Sequence, residues 1–270
     1  MTIEKVLKKE PKRWLINSIF FIVITTMLIF SFTDSSINWI RFNTFWISLR
    51  SIARGLSNIQ FDFLLGRGVY AFEEGVIYLT IETLAIAFIA TFLGAILSLP
   101  FSFLASKNIV GNKIARFGEI LLILVRVFPE IILALILVKG FGINPLTGVL
   151  AIGIHSIGMI GKLFAESIDN MDKAPLEALD AVGANIWVKI RYGIMPQVIA
   201  EFSSIALYRL DINVRSATVL GIIGAGGIGA SLILASENWN WDILGTILLA
   251  IVVMVISVDV ISSFLRNKLI

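Results

Sequence analysis

Long apolar stretches are the feature of this sequence that most constrains its fold. A helix rises about 1.5 Å per residue, so about 20 apolar residues cross the roughly 30 Å hydrocarbon core of a bilayer. Stretches of that length predict an all-α, polytopic membrane protein with about six transmembrane helices. The predicted crossings are Trp14 to Phe32 and, with approximate ends, Gly75 to Ala105, Gly118 to Val138, Leu146 to Ala165, Val198 to Ile223 and Ile243 to Leu265.

The composition excludes several other classes of protein. The 270 residues are 57% hydrophobic and 15% charged, which leaves too little polar surface for a soluble globule. The absence of cysteine excludes disulfides and thiol catalysis, and a single histidine argues against a protein-bound zinc ion. We therefore expect no metal and no cofactor in this chain.

Basic residues predict the orientation, because lysine and arginine favour cytoplasmic loops. A cytoplasmic N-terminus places most basic clusters inside, and the exception is the longer outside loop with Arg41, Arg50, Arg54 and Arg67. Both termini are then cytoplasmic. A signal peptide is the alternative for the first crossing, but the run is long and lacks a cleavage pattern. The inside clusters are Lys5 to Arg13, Lys107 to Arg116, Lys162 to Arg191 and Arg266 to Lys268.

The segment after the first crossing is predicted to be an amphipathic helix in the membrane interface. Its apolar residues, Phe42 to Leu56, recur at helical spacing opposite serines and arginines. Packing on the outer leaflet and gating both remain open as its role. The chain then divides into residues 1–33, 34–70 and 71–270, the last containing a polar loop at about 166–196.

That polar loop is predicted to form two short helices. Pro175 fits the first turn, Glu177 complements the helix dipole, and Gly183 can end the first helix. The second helix runs from about Asn185 to Tyr192, and Pro196 is expected to stop it. Spacing alone fits an ordinary helical hairpin between spans equally well.

The loop resembles the EAA loop of bacterial ABC-importer permeases, which reads Glu-Ala-Ala, three residues, Gly, nine residues and Ile-any-Leu-Pro. Glu177, Ala178, Gly183 and Pro196 match it, whereas Leu179, Gly193 and Met195 depart from it with apolar residues. The wider sequence from about Gly68 onward looks like the phosphonate-type permeases. The segments that carry this likeness are 161–166, 191–193, 213–221 and 224–229.

The resemblance implies a function and partners. It implies a non-catalytic permease subunit of an ATP-driven importer in the bacterial cytoplasmic membrane, taking phosphonate or related phosphorus oxyanions. The implied partners are a dimer of ABC ATPase subunits that binds ATP and Mg, an extracytoplasmic binding protein and a second permease, with no nucleic acid. Glu177, Ala178, Gly183 and Pro196 would couple the ATPase to the spans. The sequence has no phosphate loop of its own, so a partner must hydrolyse ATP.

Ionised residues inside the predicted spans are the candidates for a substrate pathway, because a charge in hydrocarbon needs a partner or a wet cavity. The candidates are Arg209, Arg126, Arg215 and His155. Arg209 has no obvious local partner, and its guanidinium suits an oxyanion. The alternative for Arg209 is an ion pair with Glu82 of another helix. The alternative for His155 is an interior histidine whose hydrogen bonds are made within the protein and which has no role in transport.

Two of these arginines have a possible partner four residues away. Asp211 precedes Arg215, and Arg126 precedes Glu130, so each pair can neutralise itself on one helix face. Pro129 can kink the helix between Arg126 and Glu130. These pairings compete with a role in transport.

The glycine-rich segment Gly224 to Gly229 matches a dinucleotide-binding pattern, but no βαβ unit flanks it. We expect it instead to break the helix or pack closely near the outer face. Three rival functions remain. An ion-gradient transporter would leave the polar loop unexplained, a lipid-headgroup enzyme lacks a clustered nucleophile, and an ABC permease for another substrate would share the same fold.

Overall fold

The computed structural model describes residues 13–34 and 40–269, and these residues form helices and no strand. The predicted all-α class is confirmed. The basic cluster up to Lys12 lies outside the described residues. The helices are α1 (Arg13–Asp34), α2 (Ile40–Ser57), α3 (Phe61–Leu65), α4 (Val76–Ala105), α5 (Lys107–Val127), α6 (Glu130–Phe141), α7 (Pro145–Asn170), α8 (Ala174–Ala181), α9 (Ile186–Val188), α10 (Met195–Ile222), α11 (Ile228–Glu237) and α12 (Trp241–Leu269).

The chain forms two compact units, one up to Arg50 and one from Ser51 onward. The first unit holds α1, whose stretch Trp14–Phe32 has a mean hydropathy of 2.3 and no part buried within the chain. Exposed apolar sides of this kind suit contact with lipid. α2 confirms the helix predicted after the first crossing, and its position in the membrane interface stays a prediction.

The predicted number of crossings is not confirmed. Among the described residues, α1, α4, α7 and α12 are long and apolar enough to span a membrane. α5 and α6 make a fifth span only as a pair bent by 75°, so the stretch predicted to cross from Gly118 to Val138 is broken next to Pro129, where a kink was predicted. α10 has 28 residues, but it carries four charged residues along its length, namely Glu201, Arg209, Asp211 and Arg215.

The bend between α5 and α6 has a local cause. Phe128 and Pro129 are extended, with ψ angles of 120° and 139°. Proline lacks an N–H and disfavours a helical predecessor, so α5 ends here and Glu130 begins α6. Ala134 is the buried residue of α6. This helix is therefore less embedded in the second unit than α7 is.

α4 and α7 form the centre of the second unit, and small residues let their backbones approach closely. A Cβ on Gly94 would lie 2.7 Å from the Cβ of Ser156, and one on Gly153 would lie 3.4 Å from the carbonyl oxygen of Ala90. Further along α7, Phe164 stacks on Phe202 of α10 with ring centroids 3.9 Å apart. α4, α7 and α10 thus form a packed frame.

The glycine-rich segment turns the chain between α10 and α11, as predicted. Gly226 and Gly227 have φ angles of 82° and 75°, which glycine adopts without strain. α4 supports the turn, because Glu82 Oε2 accepts a hydrogen bond from Gly227 N (3.2 Å) and Thr83 Oγ1 accepts one from Ile228 N (2.9 Å). The side chain of Glu82 is therefore committed to this turn.

Candidate functional site: an exposed loop and a buried ion cluster

The polar loop contains the two predicted helical segments. The first is α8, in which Asp172 Oδ1 accepts a hydrogen bond from Ala174 N (3.1 Å) at the start. The second begins at α9, where Asn185 Oδ1 accepts one from Val188 N (3.0 Å), and continues as a π turn over Lys189–Ile194. We call residues 171–194 the exposed loop.

Gly183 ends α8 in the manner predicted. Its φ is 72°, and Ala184 N donates back to the carbonyl oxygen of Leu179 (2.9 Å). A Cβ at this position would meet no atom within 4 Å. The backbone angle, and not the lack of space, is therefore what favours glycine here.

Side-chain contacts hold the exposed loop together as one element. Lys189 forms an ion pair with Asp180, joining α8 to the π turn. Gln197 Nε2 donates to the carbonyl oxygens of Gly193 (2.7 Å) and Asp172 (3.2 Å). A Cβ on Gly193 would lie 2.9 Å from a Leu176 methyl carbon, so this glycine lets α8 pack on the turn. These contacts therefore tie α8, the π turn and the start of α10 to one another.

Pro196 does not stop a helix, which corrects the prediction for that residue. It lies in the first turn of α10, where the missing N–H removes no helical hydrogen bond. The π turn runs directly into α10 through Met195. The helical backbone therefore continues without a break from the exposed loop into α10.

The exposed loop presents both charge and apolar surface. Glu177, Ala178, Gly183 and Pro196 are all exposed. Beside them Val182, Trp187 and Tyr192 are 78%, 76% and 64% exposed. An apolar patch rimmed by charged residues is typical of a protein interaction site.

Arg209 lies at the centre of a buried ion cluster. Only 3% of the residue is exposed. Its Nη2 donates to Glu130 Oε1 (2.7 Å), its Nε to Ser156 Oγ (3.1 Å) and its Nη1 to Met159 Sδ (3.0 Å). The alternative pairing with Glu82 is therefore wrong, since that carboxylate lies at the turn before α11.

His155 completes the cluster. Its Nδ1 lies 2.9 Å from Glu130 Oε1 and 3.0 Å from Arg209 Nη2. The carboxylate thus bridges a histidine of α7 and an arginine of α10, at the first residue of α6. We call Glu130, His155, Ser156, Met159 and Arg209 the buried ion cluster.

A polar pair extends the cluster toward α4. Asn213 Nδ2 donates to Thr91 Oγ1 (2.8 Å) and to Ser156 Oγ (3.1 Å). Sequence reasoning missed Thr91, Ser156, Met159 and Asn213 because uncharged side chains are common in membrane helices. The spacing of Arg209 and Asn213, four apart on one face, was the available signal.

The other two candidate arginines behave differently from each other. Arg215 pairs with Asp211 on the same helix, as the spacing indicated. Arg126 does not pair with Glu130, because the bend between α5 and α6 separates residues that would be neighbours in a continuous helix. Among the described residues, no carboxylate lies within ion-pair distance of Arg126.

Arg126 instead lines a cavity of about 430 Å³ between α5 and α7. Lys107 and Lys162 also line it, but they pair with Glu119 (3.3 Å) and Glu166 (3.5 Å). The cavity therefore contains one guanidinium whose charge has no such partner among the described residues.

A family comparison identifies the class of the molecule. Residues 98–269, more than half of the chain, match the binding-protein-dependent transport system inner membrane component. The chain belongs to this family. The match covers both the exposed loop and the buried ion cluster, and it confirms the resemblance and a multi-pass membrane location.

Individual relatives narrow the group. The phosphite transport system permease protein PtxC of Stutzerimonas stutzeri is 40% identical over 189 residues, which are 69% of this chain and 68% of that one. The phosphate-import permease protein PhnE of Mycolicibacterium smegmatis is 35% identical over 190 residues, 70% of this chain and 36% of that one. This chain thus spans about a third of the second relative.

A solved structure supports the fold. A chain of the MetNI methionine ABC transporter, described as inward facing, matches with a TM-score of 0.64 and 21% identity. The match covers 72% of this chain and 96% of that one. At this identity the likeness concerns the fold alone.

Proposed function

We propose that this chain is the membrane-spanning permease subunit of an ATP-driven importer for phosphorus oxyanions. One observation supports the substrate class. This chain is similar to phosphite and phosphate permeases, and it holds a buried arginine, Arg209, among its spans. A guanidinium offers paired donors that match two oxygens of such an anion.

Energy comes from a separate subunit. The sequence contains no phosphate loop, so an ATPase dimer binds ATP and Mg and hydrolyses ATP, while this chain catalyses no reaction. The ATPase docks on the exposed loop through Glu177 and the apolar side chains of Val182, Trp187 and Tyr192. Ala178 offers a small surface for close approach.

Motion passes from the exposed loop to the spans. When the ATPase dimer closes, the loop moves as one element and displaces α10 through the continuous backbone at Pro196. α10 carries Arg209, so the same displacement reaches the buried ion cluster. The exposed loop thus lies at the start of α10, and Arg209 of the buried ion cluster lies near the middle of the same helix.

The assembly contains a second permease copy and an extracytoplasmic binding protein that delivers the anion. Both termini are cytoplasmic. A reporter fused after Lys268 should therefore read as cytoplasmic, and an exterior signal would contradict the orientation.

The test is ATP-driven uptake into vesicles that contain this chain with the ATPase and the binding protein that co-purify with it. We expect accumulation of phosphite, phosphate or a phosphonate that requires ATP. Uptake that continues without the ATPase, or that follows an ion gradient, would contradict the proposal. If the vesicles take up only an unrelated solute, the chain is still an importer permease, but phosphorus oxyanions are not its substrates.

A further inference from the structure

Glu130 has a second arginine within reach along its own span. Arg126 lies four residues before it, on the other side of the break at Phe128 and Pro129. In a straighter span the two side chains would be neighbours on one face. The observed 75° bend instead directs Glu130 to Arg209.

The bent arrangement satisfies one arginine and leaves the other without a carboxylate. Arg126 lines the cavity between α5 and α7 with no ion-pair partner among the described residues. His155 and Gly158 lie three residues apart on α7, and Gly158 lines the same cavity. The cavity therefore ends within about one helical turn, about 4.5 Å of rise, of the buried ion cluster.

We propose that Glu130 exchanges between Arg209 and Arg126 as the span bends and straightens, and that a phosphorus oxyanion binds Arg209 when the carboxylate leaves. The choice of ligand rests on the proposed function. In the bent state Glu130 occupies the position of the anion, between Arg209 and His155. In the straighter state the anion takes over the contacts with Arg209, Ser156 and His155.

Because Arg209 is buried, binding of the anion is coupled to straightening of the bend between α5 and α6. A buried cation without a counter-charge is unfavourable, so the straighter state is poorly populated without an anion. An oxyanion restores the charge balance and supplies several acceptors, whereas an uncharged solute does not. α6 is the element that must move in this exchange, and it buries fewer residues than α7 does.

A distance between spin labels on α5 and α6 tests the exchange. The chain has no cysteine, so Ile114→Cys and Phe141→Cys give two specific sites on exposed side chains. A rise of about 1.5 Å per residue gives a backbone separation of about 32 Å at the observed bend and about 40 Å in a straight span. The labelled chain is diluted with unlabelled chain in the complete complex, in lipid nanodiscs.

Sodium phosphite should shift the distances toward the longer value, and sodium chloride at equal ionic strength should not. Arg126→Ala removes the second partner of Glu130 and should raise the phosphite concentration needed for half the shift by about tenfold. Arg116→Ala, another exposed arginine of α5, is the matched control and should leave that concentration unchanged. Glu130→Gln should make the distance nearly independent of phosphite.

The outcomes separate this inference from the proposed function, because ATP-driven phosphite uptake is measured on the same labelled complex after reconstitution into sealed vesicles. If uptake occurs but the distance between the spin labels does not change with phosphite, the exchange of Glu130 between the two arginines is overturned and the proposed function is not. A phosphite-dependent distance in a complex whose cysteine-free form also shows no uptake supports the exchange and overturns the transport proposal. Equal effects of Arg126→Ala and Arg116→Ala overturn the role of Arg126. If the labelled pair abolishes uptake, Lys113→Cys with Gly140→Cys replaces it.

Discussion

The exposed loop and the buried ion cluster both depend on charged side chains, but they satisfy them in opposite ways. In the loop, Glu177 points into solvent beside exposed apolar residues such as Trp187. In the cluster, Arg209 is 3% exposed and meets a carboxylate, a hydroxyl and a thioether within the chain. The loop thus presents the charge of Glu177 to solvent, whereas the cluster pairs the charge of Arg209 within the chain.

This difference separates two kinds of function. An exposed element with an apolar patch changes state when another protein binds it. A buried ion pair changes state only when one partner is exchanged for another, because an unpaired buried charge is costly. Substitutions in the cluster should therefore affect stability first, and substitutions in the loop should affect coupling first.

The largest effect on stability is expected from Arg209→Ala. It leaves Glu130 partly buried without its arginine, at a cost of about 3–5 kcal/mol. Arg191→Ala is the matched control in the exposed loop, where the arginine is exposed and has no ion pair among the described residues, and it should cost about 0.5 kcal/mol or less. Thermal unfolding in detergent measures both. Equal shifts of the unfolding temperature would remove the distinction between the buried arginine of α10 and the exposed arginine of the loop.

Gly183→Ala is expected to have the largest effect on ATPase binding when it is compared with a control substitution of equal cost in stability. Gly183 and Gly68 both have φ near 72° and open space around the Cβ position. Alanine at either site should cost about 1 kcal/mol of backbone strain. Only the Gly183 variant should weaken ATPase binding, by about tenfold if docking loses about 1.4 kcal/mol. Co-purification of the ATPase with each variant provides the measurement, and equal losses would make the loop merely structural.

A smaller difference in stability is expected between alanine variants of two asparagines, one in each region. Asn213→Ala removes the buried link between α4 and α7, at a cost of about 2 kcal/mol. Asn185→Ala removes an exposed cap and should cost about 1 kcal/mol. Urea titration of the detergent-solubilised chain compares them, and a costlier Asn185→Ala would reverse the ranking of the two regions.

Sequence reasoning located the exposed loop well, because its signals are local. Pro175 and Gly183 act through their own backbone angles, and these do not depend on distant residues. The error at Pro196 was also local. The same residue type that ends a helix is tolerated in the first turn of the next, and only the path of the backbone decides between the two.

The buried ion cluster could be predicted only in part, because it joins α6, α7 and α10. The charge of Arg209 indicated that this residue needs a partner inside the membrane. The choice between Glu82 and Glu130 as that partner depends on tertiary packing. Helical spacing also failed at Arg126, because the spacing rule holds only while the helix continues. Pro129 indicated a kink, yet a 75° break was needed to send Glu130 to another helix.

Capture of the ATPase on the exposed loop tests the central claim most directly. A photoactivatable cross-linker on Val182→Cys probes the loop, and Val69→Cys, an exposed valine outside it, is the matched control. In cells that make the complete transporter, we expect the ATPase to be cross-linked from position 182 and not from position 69. An ATPase captured equally from both positions, or from neither, would contradict the account.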